Sequence, residues 1–345
     1  MWAQESVLQK INFFMEEKTA FEHFLYGYGN EVVISDMEFC VDRIVMLPKI
    51  RPHQLEKAVR LSVEYCQNED FHQKLLGKSN LCPVLIYRLY KGGIFTFDEI
   101  ESCLKSEESY MISYYFRKEI EDFKSFIGSK VQPPGFDQSF VENEEYIDRL
   151  IDYGFLPSSI EYCMKYDAMD ELVNFDNLNQ EARWSPFEWS CRVQYLDLLS
   201  FSGFFGSIKS FKYLLMKGFK INNKVMSMVV CSGNLDLFHL SLEQLSLTTE
   251  SICKASEFWQ LPVLFYLVEN GFDVNSKDEL NDSPLHLASS YGHLSVVEYL
   301  VNQKSDINVK GENVDIFYIM RLLYIVLLFM VISMLLNISL IKKLR

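Results

Sequence analysis

Cysteine and histidine are the side chains of this chain best suited to nucleophilic or metal chemistry, and their spacing supports neither. The 8 cysteines, Cys40, Cys66, Cys82, Cys103, Cys163, Cys191, Cys231 and Cys253, form no C-x-x-C pair. Most stand in apolar runs, the pattern of buried free thiols in a reducing compartment. The 6 histidines, His23, His53, His72, His239, His286 and His293, give no H-E-x-x-H and no Cys/His zinc spacing. Gly27-Tyr28-Gly29-Asn30 and Lys91-Gly92-Gly93 lack the spacing of a phosphate-cradling loop, and no G-x-S-x-G elbow occurs. The expectation is no catalytic, cofactor-binding or metal site. Asn281-Asp282-Ser283 is formally a glycosylation sequon, discounted because its surroundings read as cytosolic.

One string is specific. Ser283-Pro284-Leu285-His286-Leu287-Ala288 resembles the T-P-L-H-x-A motif of the ankyrin repeat, with Ser in the Thr place. Ser283 suits an N-cap and Pro284 the first helical position, and Tyr291-Gly292-His293 breaks the chain before a second helix. Ser295 and Glu298 have capping-box spacing for that helix, whose Val296, Val297, Leu300 and Val301 would face its neighbours. The resemblance implies that the His286 ring ties neighbouring repeats through hydrogen bonds.

A single such unit cannot bury its apolar face, so further copies are expected beside it. Ala255, Leu261, Tyr266, Leu267 and Asn275 each lie 33 positions before Ala288, Leu294, Tyr299, Leu300 and Asn308. Gly206, Ile208, Phe211, Tyr213, Leu214, Ile221 and Asn222 repeat the pattern 86 positions upstream of its last copy. Cys231 to Phe238 gives one more inter-helix break. Four units result, about 197–222, 224–247, 250–276 and 283–309. A degenerate fifth lies within 150–180, where Cys163, Asp167, Met169 and Leu172 take the places of Ala288, Gly292, Leu294 and Val297. Lys304 stands where Gly218 and Gly271 stand in other copies, a helix end that favours a left-handed glycine.

From Leu322 to Ile341, 20 residues carry no charge, flanked by Arg321 and by Lys342, Lys343 and Arg345. That length spans a bilayer core, and residues 316–341 read as a hydrophobic C-terminal helix and tail anchor. Met1 to Lys18 has no clean apolar core of a signal peptide. The net charge of −14 argues against nucleic acid as partner. Residues 1–130 lack the repeat pattern but read as a helical domain, with helices near Gln54–Tyr65 and Asp98–Leu104 and breaks at Pro48, Pro52, Pro83 and Gly92-Gly93. Ser129-Lys130-Val131-Gln132-Pro133-Pro134-Gly135 reads as the linker to a repeat region over 141–312.

The strings Leu198 to Leu215, Cys231 to His239 and Gly292 to Asn308 resemble the expanded ankyrin proteins of trichomonad protists, which pair a helical N-terminal region of unknown function with a C-terminal ankyrin array. That resemblance implies protein–protein interaction and transfers no catalytic residue. The expected fold is all-α: an N-terminal helical domain, an ankyrin-repeat solenoid and the apolar C-terminal helix. The expected function is a non-enzymatic scaffold for an unidentified protein partner, with no cofactor and no small-molecule substrate. It would sit on the cytosolic face of a membrane through residues 322–341. The alternatives are a soluble cytoplasmic adaptor whose last helix packs on the stack, and an enzyme in the N-terminal domain. Candidate partner-binding residues are Asp278, Asn281, Asp282, Ser289, Ser290 and Tyr291.

Overall fold

The computed structural model describes residues 37–50, 55–78, 82–107, 109–132, 141, 143–183, 185–190, 196–291 and 293–307. Among them the regular structure is helical, with no strand and one isolated bridge between Glu181 and Asp197. No helix among the described residues is long and apolar enough to cross a membrane. The tail at 316–341 and residues 1–36 lie outside the described residues. Two compact units divide between Phe219 and Lys220.

That division falls well after Ser129–Gly135, and side chains explain why the chain does not part there. Asp148 accepts from both Arg117 (2.5 Å) and Lys118 (2.7 Å) across the stretch. Phe187 packs on Tyr114 and Tyr115 with ring centroids 6.3 and 5.9 Å apart. Segments on both sides therefore share the first unit.

The first unit contains α1 (Met37–Ile50), α2 (Leu55–Tyr65), α3 (Glu69–Gly77), α4 (Pro83–Lys91), α5 (Phe97–Leu104), α6 (Tyr110–Tyr115) and α7 (Phe123–Gly128). It continues with α8 (Glu144–Tyr153), α9 (Ile160–Lys165), α10 (Met169–Leu172), α11 (Leu198–Phe205) and α12 (Ile208–Met216). Local chemistry sets the starts. Asn68 accepts from the Phe71 N–H, and Thr96 and Glu99 form a reciprocal capping box on α5. Pro83 opens α4, whereas Pro48 sits inside α1, close enough to its end that the helix runs on to Ile50. Helix α2 packs on α4, α4 on α6, and α3 on α5. This alternation builds two layers, and Val84, Leu85, Leu89, Ile100, Ile112 and Phe116 are buried between them.

The second unit holds three helix pairs: α13 (Asn223–Ser232) with α14 (Leu235–Leu242), α15 (Thr249–Glu257) with α16 (Leu261–Glu269), and α17 (Pro284–Ser290) with α18 (Leu294–Asn302). The first helices stack side by side, α13 on α15 and α15 on α17. The second helices meet through aromatic rings, Phe238 with Tyr266 (5.3 Å between centroids) and Phe265 with Tyr299 (4.4 Å). In the first unit α9 and α10 stack in the same manner on α11 and α12.

One backbone device recurs at these turns. The residue after the turn sends its N–H to the carbonyl five positions back: Ala168 to Cys163 (2.9 Å), Ser207 to Ser202 (3.0 Å), Gln260 to Ala255 (2.7 Å) and His293 to Ala288 (2.7 Å). This closure needs a left-handed residue just before it. The seat is filled by Asp167 (φ 55°) before Ala168, Gly206 (φ 71°) before Ser207 and Trp259 (φ 57°) before Gln260, and Gly233 (φ 67°) holds the same place at the end of α13. Second helices close alike, Phe219 to Leu214, Phe272 to Leu267 and Ser305 to Leu300, after Gly218, Gly271 and Lys304. Lys304 has φ 66°, so it occupies the glycine seat with a side chain attached. The degenerate stretch around Asp167 shares the turn geometry of the regular pairs.

Candidate functional site

The six candidate residues fall at the two ends of α17 rather than in one place. Asp278, Asn281 and Asp282 precede the helix, while Ser289, Ser290 and Tyr291 close it. At about 1.5 Å per residue, a seven-residue helix separates the groups by roughly 10 Å.

Before the helix, the chain folds into a tight loop on the Asp278 carboxylate. Its Oδ1 accepts from the Leu280 N–H (3.0 Å) and the Asp282 N–H (2.9 Å). The Asp278 N–H donates to the Asp282 carbonyl (3.0 Å) and the Asn281 N–H to the Asp278 carbonyl (3.1 Å). Asn281 takes φ 61°, a conformation its short polar side chain tolerates. Asn281 is exposed, Asp278 is half-buried, and Leu280 at the tip is 59% exposed. Asp282 is only 2% exposed, so its side chain is withdrawn from a partner surface while its backbone closes the loop. Its carbonyl accepts a long contact from the Cys253 thiol (3.9 Å). Burial pushes that thiol up to about 12, with Asp278 adding to the effect. It therefore stays protonated and unreactive at neutral pH.

The start of α17 behaves as its sequence predicts. The Ser283 hydroxyl accepts from the His286 N–H (3.3 Å), and the Ser283 N–H donates back to His286 Nδ1 (3.1 Å). These bonds place His286, 1% exposed, inside its own turn. A bond between neighbouring pairs comes from His293, whose Nε2 donates to the Glu257 carbonyl at 2.8 Å. The carbonyl can only accept, so the proton is on Nε2.

Around His293 the far end of α17 becomes an aromatic stack. The imidazole lies parallel to Trp259 (5.6 Å, 8°) and to Tyr291 (6.0 Å, 10°). Glu257, 2% exposed, pairs with Lys254 (2.9 Å) and accepts from the Tyr291 hydroxyl (3.4 Å). Trp259 Nε1 donates to Ser295 Oγ (2.9 Å). That bond corrects the expected capping box, because α18 starts from His293 with no side-chain cap, and Ser295 serves the tryptophan. Ser290 is exposed and Tyr291 half-buried, but Ser289 is fully buried and is not available to a partner. Lys254, Glu257 and Trp259 escaped the sequence reading. The signal for Trp259 was present, since it lies 33 positions before Gly292.

A parallel joint connects the preceding pairs. Gln260 Nε2 donates to the Cys231 carbonyl (2.6 Å), and the amide lies over Gly233, where a Cβ would collide with Gln260. Gln260 and His293, each the residue after its turn, thus cap the first helix of the pair before them. A flat ring over Trp259 and an amide over Gly233 solve the same contact.

Burial raises Cys66 to about 12, and Cys82 and Cys163 to about 11. Among the described residues no group of three or more His, Cys, Asp or Glu is arranged to hold a metal ion.

The fold class these features define is an all-helical protein of stacked helix pairs. Residues 226–311 match the family model described as Ankyrin repeats, in 3 copies. A crystal structure of the human ASB11 ankyrin repeat domain is similar at 14% identity and a TM-score of 0.34, covering 47% of this chain and 82% of that one. No curated protein matches. The chain thus carries ankyrin repeats, units whose general role is protein–protein interaction.

Proposed function

We propose that this chain is a non-enzymatic scaffold that binds a protein partner through its repeats and is held on a cytosolic membrane face by residues 322–341. The observation that carries the first half is the match of residues 226–311 to stacked ankyrin repeats with exposed loop and helix ends. Asn281 and Leu280 at the loop, and Ser290 with Tyr291 at the helix end, are the surface residues through which a partner would engage. The narrower kinship with expanded protist ankyrin proteins is consistent with a role confined to binding. Support for the second half is the uncharged run of 20 residues with basic residues at both edges.

Two experiments test the halves separately. The full chain is captured from cells as wild type and as Leu280→Arg/Ser290→Arg, two exposed positions, with unchanged melting as control. The proposal expects a defined set of proteins with wild type and its loss with the variant; equal recovery by both removes these residues from the interface. Alkaline extraction of membranes is expected to leave the wild-type chain in the pellet and a chain lacking residues 316–345 in the supernatant. Wild type in the supernatant would end the anchor reading and favour the adaptor.

A further inference from the structure

We propose that Ser185–Ser190 is an internal ligand of the first unit, and that the groove it fills takes partner segments of the same aromatic–acidic–aromatic chemistry. The inference stands apart from the repeats of the second unit and from the membrane reading.

The segment reads Ser-Pro-Phe-Glu-Trp-Ser, and it lies in the connection between Leu172 and Leu198, which contains no helix among the described residues. Its own N–H bonds close locally: Glu188 to the Ser185 carbonyl (3.1 Å), Phe187 to Ser185 Oγ (3.3 Å) and Ser190 to Glu188 Oε1 (3.0 Å). Its hold on the unit is made by three consecutive side chains. Phe187 is fully buried against Tyr114 and Tyr115 of α6. Glu188 Oε2 accepts from Lys165 Nζ at 2.8 Å, with the two side chains 0% and 1% exposed. The Trp189 ring lies 3.6 Å from the same ammonium, which Tyr166 (5.3 Å), Phe205 (5.7 Å) and Phe155 (5.9 Å) also surround.

The receiving side is shaped for a carboxylate. Lys165 is aimed by a second bond to the Tyr153 carbonyl (3.0 Å). Gly154 leaves room that a Cβ would close against Glu188 Oε2. Burial lowers the Lys165 ammonium from its ordinary value while Glu188 opposes the shift. A buried ion pair contributes little net stability relative to apolar packing, but it discriminates strongly against a segment without the acid. An apolar pocket, one aimed cation and a cleared glycine are the parts of a peptide site. Here the chain's own segment occupies it.

The test uses the full chain and a fluorescein-labelled Ser-Pro-Phe-Glu-Trp-Ser peptide. Phe187→Ala/Trp189→Ala weakens the internal segment, and anisotropy should then report binding at least about 10-fold tighter than to wild type. A peptide with Lys in place of Glu should bind at least about 10-fold more weakly. No saturable binding to the folded variant, or indifference to that replacement, overturns the proposal. Wild-type hydrogen exchange decides the matter if the variant does not fold. The Glu188 and Ser190 amides should exchange at least about 10-fold faster than the slowest amides of α8 and α9, because an internal ligand leaves without unfolding its site. Exchange at the helices' rate would make the segment a core element and overturn the proposal.

Discussion

Lys304 shows what one side chain does in a seat made for glycine. Its φ of 66° places Cβ near the following carbonyl, and its neighbours in the pattern, Gly218 and Gly271, avoid that contact. Lys304→Gly is therefore expected to stabilise the chain by about 0.5–1 kcal/mol, less than the full strain because glycine also loosens the unfolded state. Urea titration reads the gain as a higher midpoint at constant slope. Glu99 makes a pH prediction of definite sign. Hydrogen bonds from the Thr96 hydroxyl and backbone, with a smaller part from His72, hold its carboxyl below the usual glutamate range. A lowered folded pKa means stability present above the unfolded value and lost as the pH falls through the folded one. The midpoint gap between wild type and Glu99→Gln should stay constant above about pH 5 and close below about pH 4. At this scale the sequence disclosed Ser283, Pro284 and the oddity of Lys304 because each depends on local backbone rules. It hid the burial of Asp282 and Ser289, which depends on what packs against them.

At the scale of elements, Asp167 joins one helix pair to the next. Its carboxylate accepts from the Lys209 N–H (3.1 Å), the Ser210 N–H (2.7 Å) and the Ser210 hydroxyl (2.8 Å), capping α12 from outside that helix. Ser207, the N-cap by position, makes no side-chain cap bond. Asp167→Ala should cost about 1–2 kcal/mol, since it removes the cap and keeps the left-handed strain. Asp167→Gly should cost less, because it removes both, and thermal melting of the two variants side by side gives the order. Phe265 and Tyr299 join the second helices of adjacent pairs. A double-mutant cycle to alanine is expected to return a coupling of about 0.5–1.5 kcal/mol. Helix pairing was legible in sequence because apolar periodicity recurs around glycine breaks at Gly206, Gly233 and Gly292. The cap by Asp167 was not, as it spans 43 positions in a stretch without the motif string.

For the whole molecule, composition set the physical class and the structure supplied the joints. A net charge of −14 opposes approach to a polyanionic duplex. No saturable binding to a duplex DNA at about 0.15 M salt is expected, with fluorescence anisotropy as the measurement. The repeats over 226–311 were readable because one copy keeps the motif nearly whole and fixes the offset for the others. Pro-Pro-Gly suggests a linker in sequence, while the ion pairs and ring contacts that bind 109–132 to 143–190 leave no local trace there.

The joints made by Gln260 and His293 point one way along the chain. Each later pair supplies a donor, and each earlier pair supplies the carbonyl at the end of its first helix. A unit copied in tandem therefore arrives with both halves of the fastening already in place, a donor facing back and an acceptor facing forward. Exchanging the last two pairs would set the His293 ring over Gly233, a seat that the Gln260 amide fills here. The bond of each joint is thus common to the pairs, whereas the packing over the turn residue is matched to one particular neighbour.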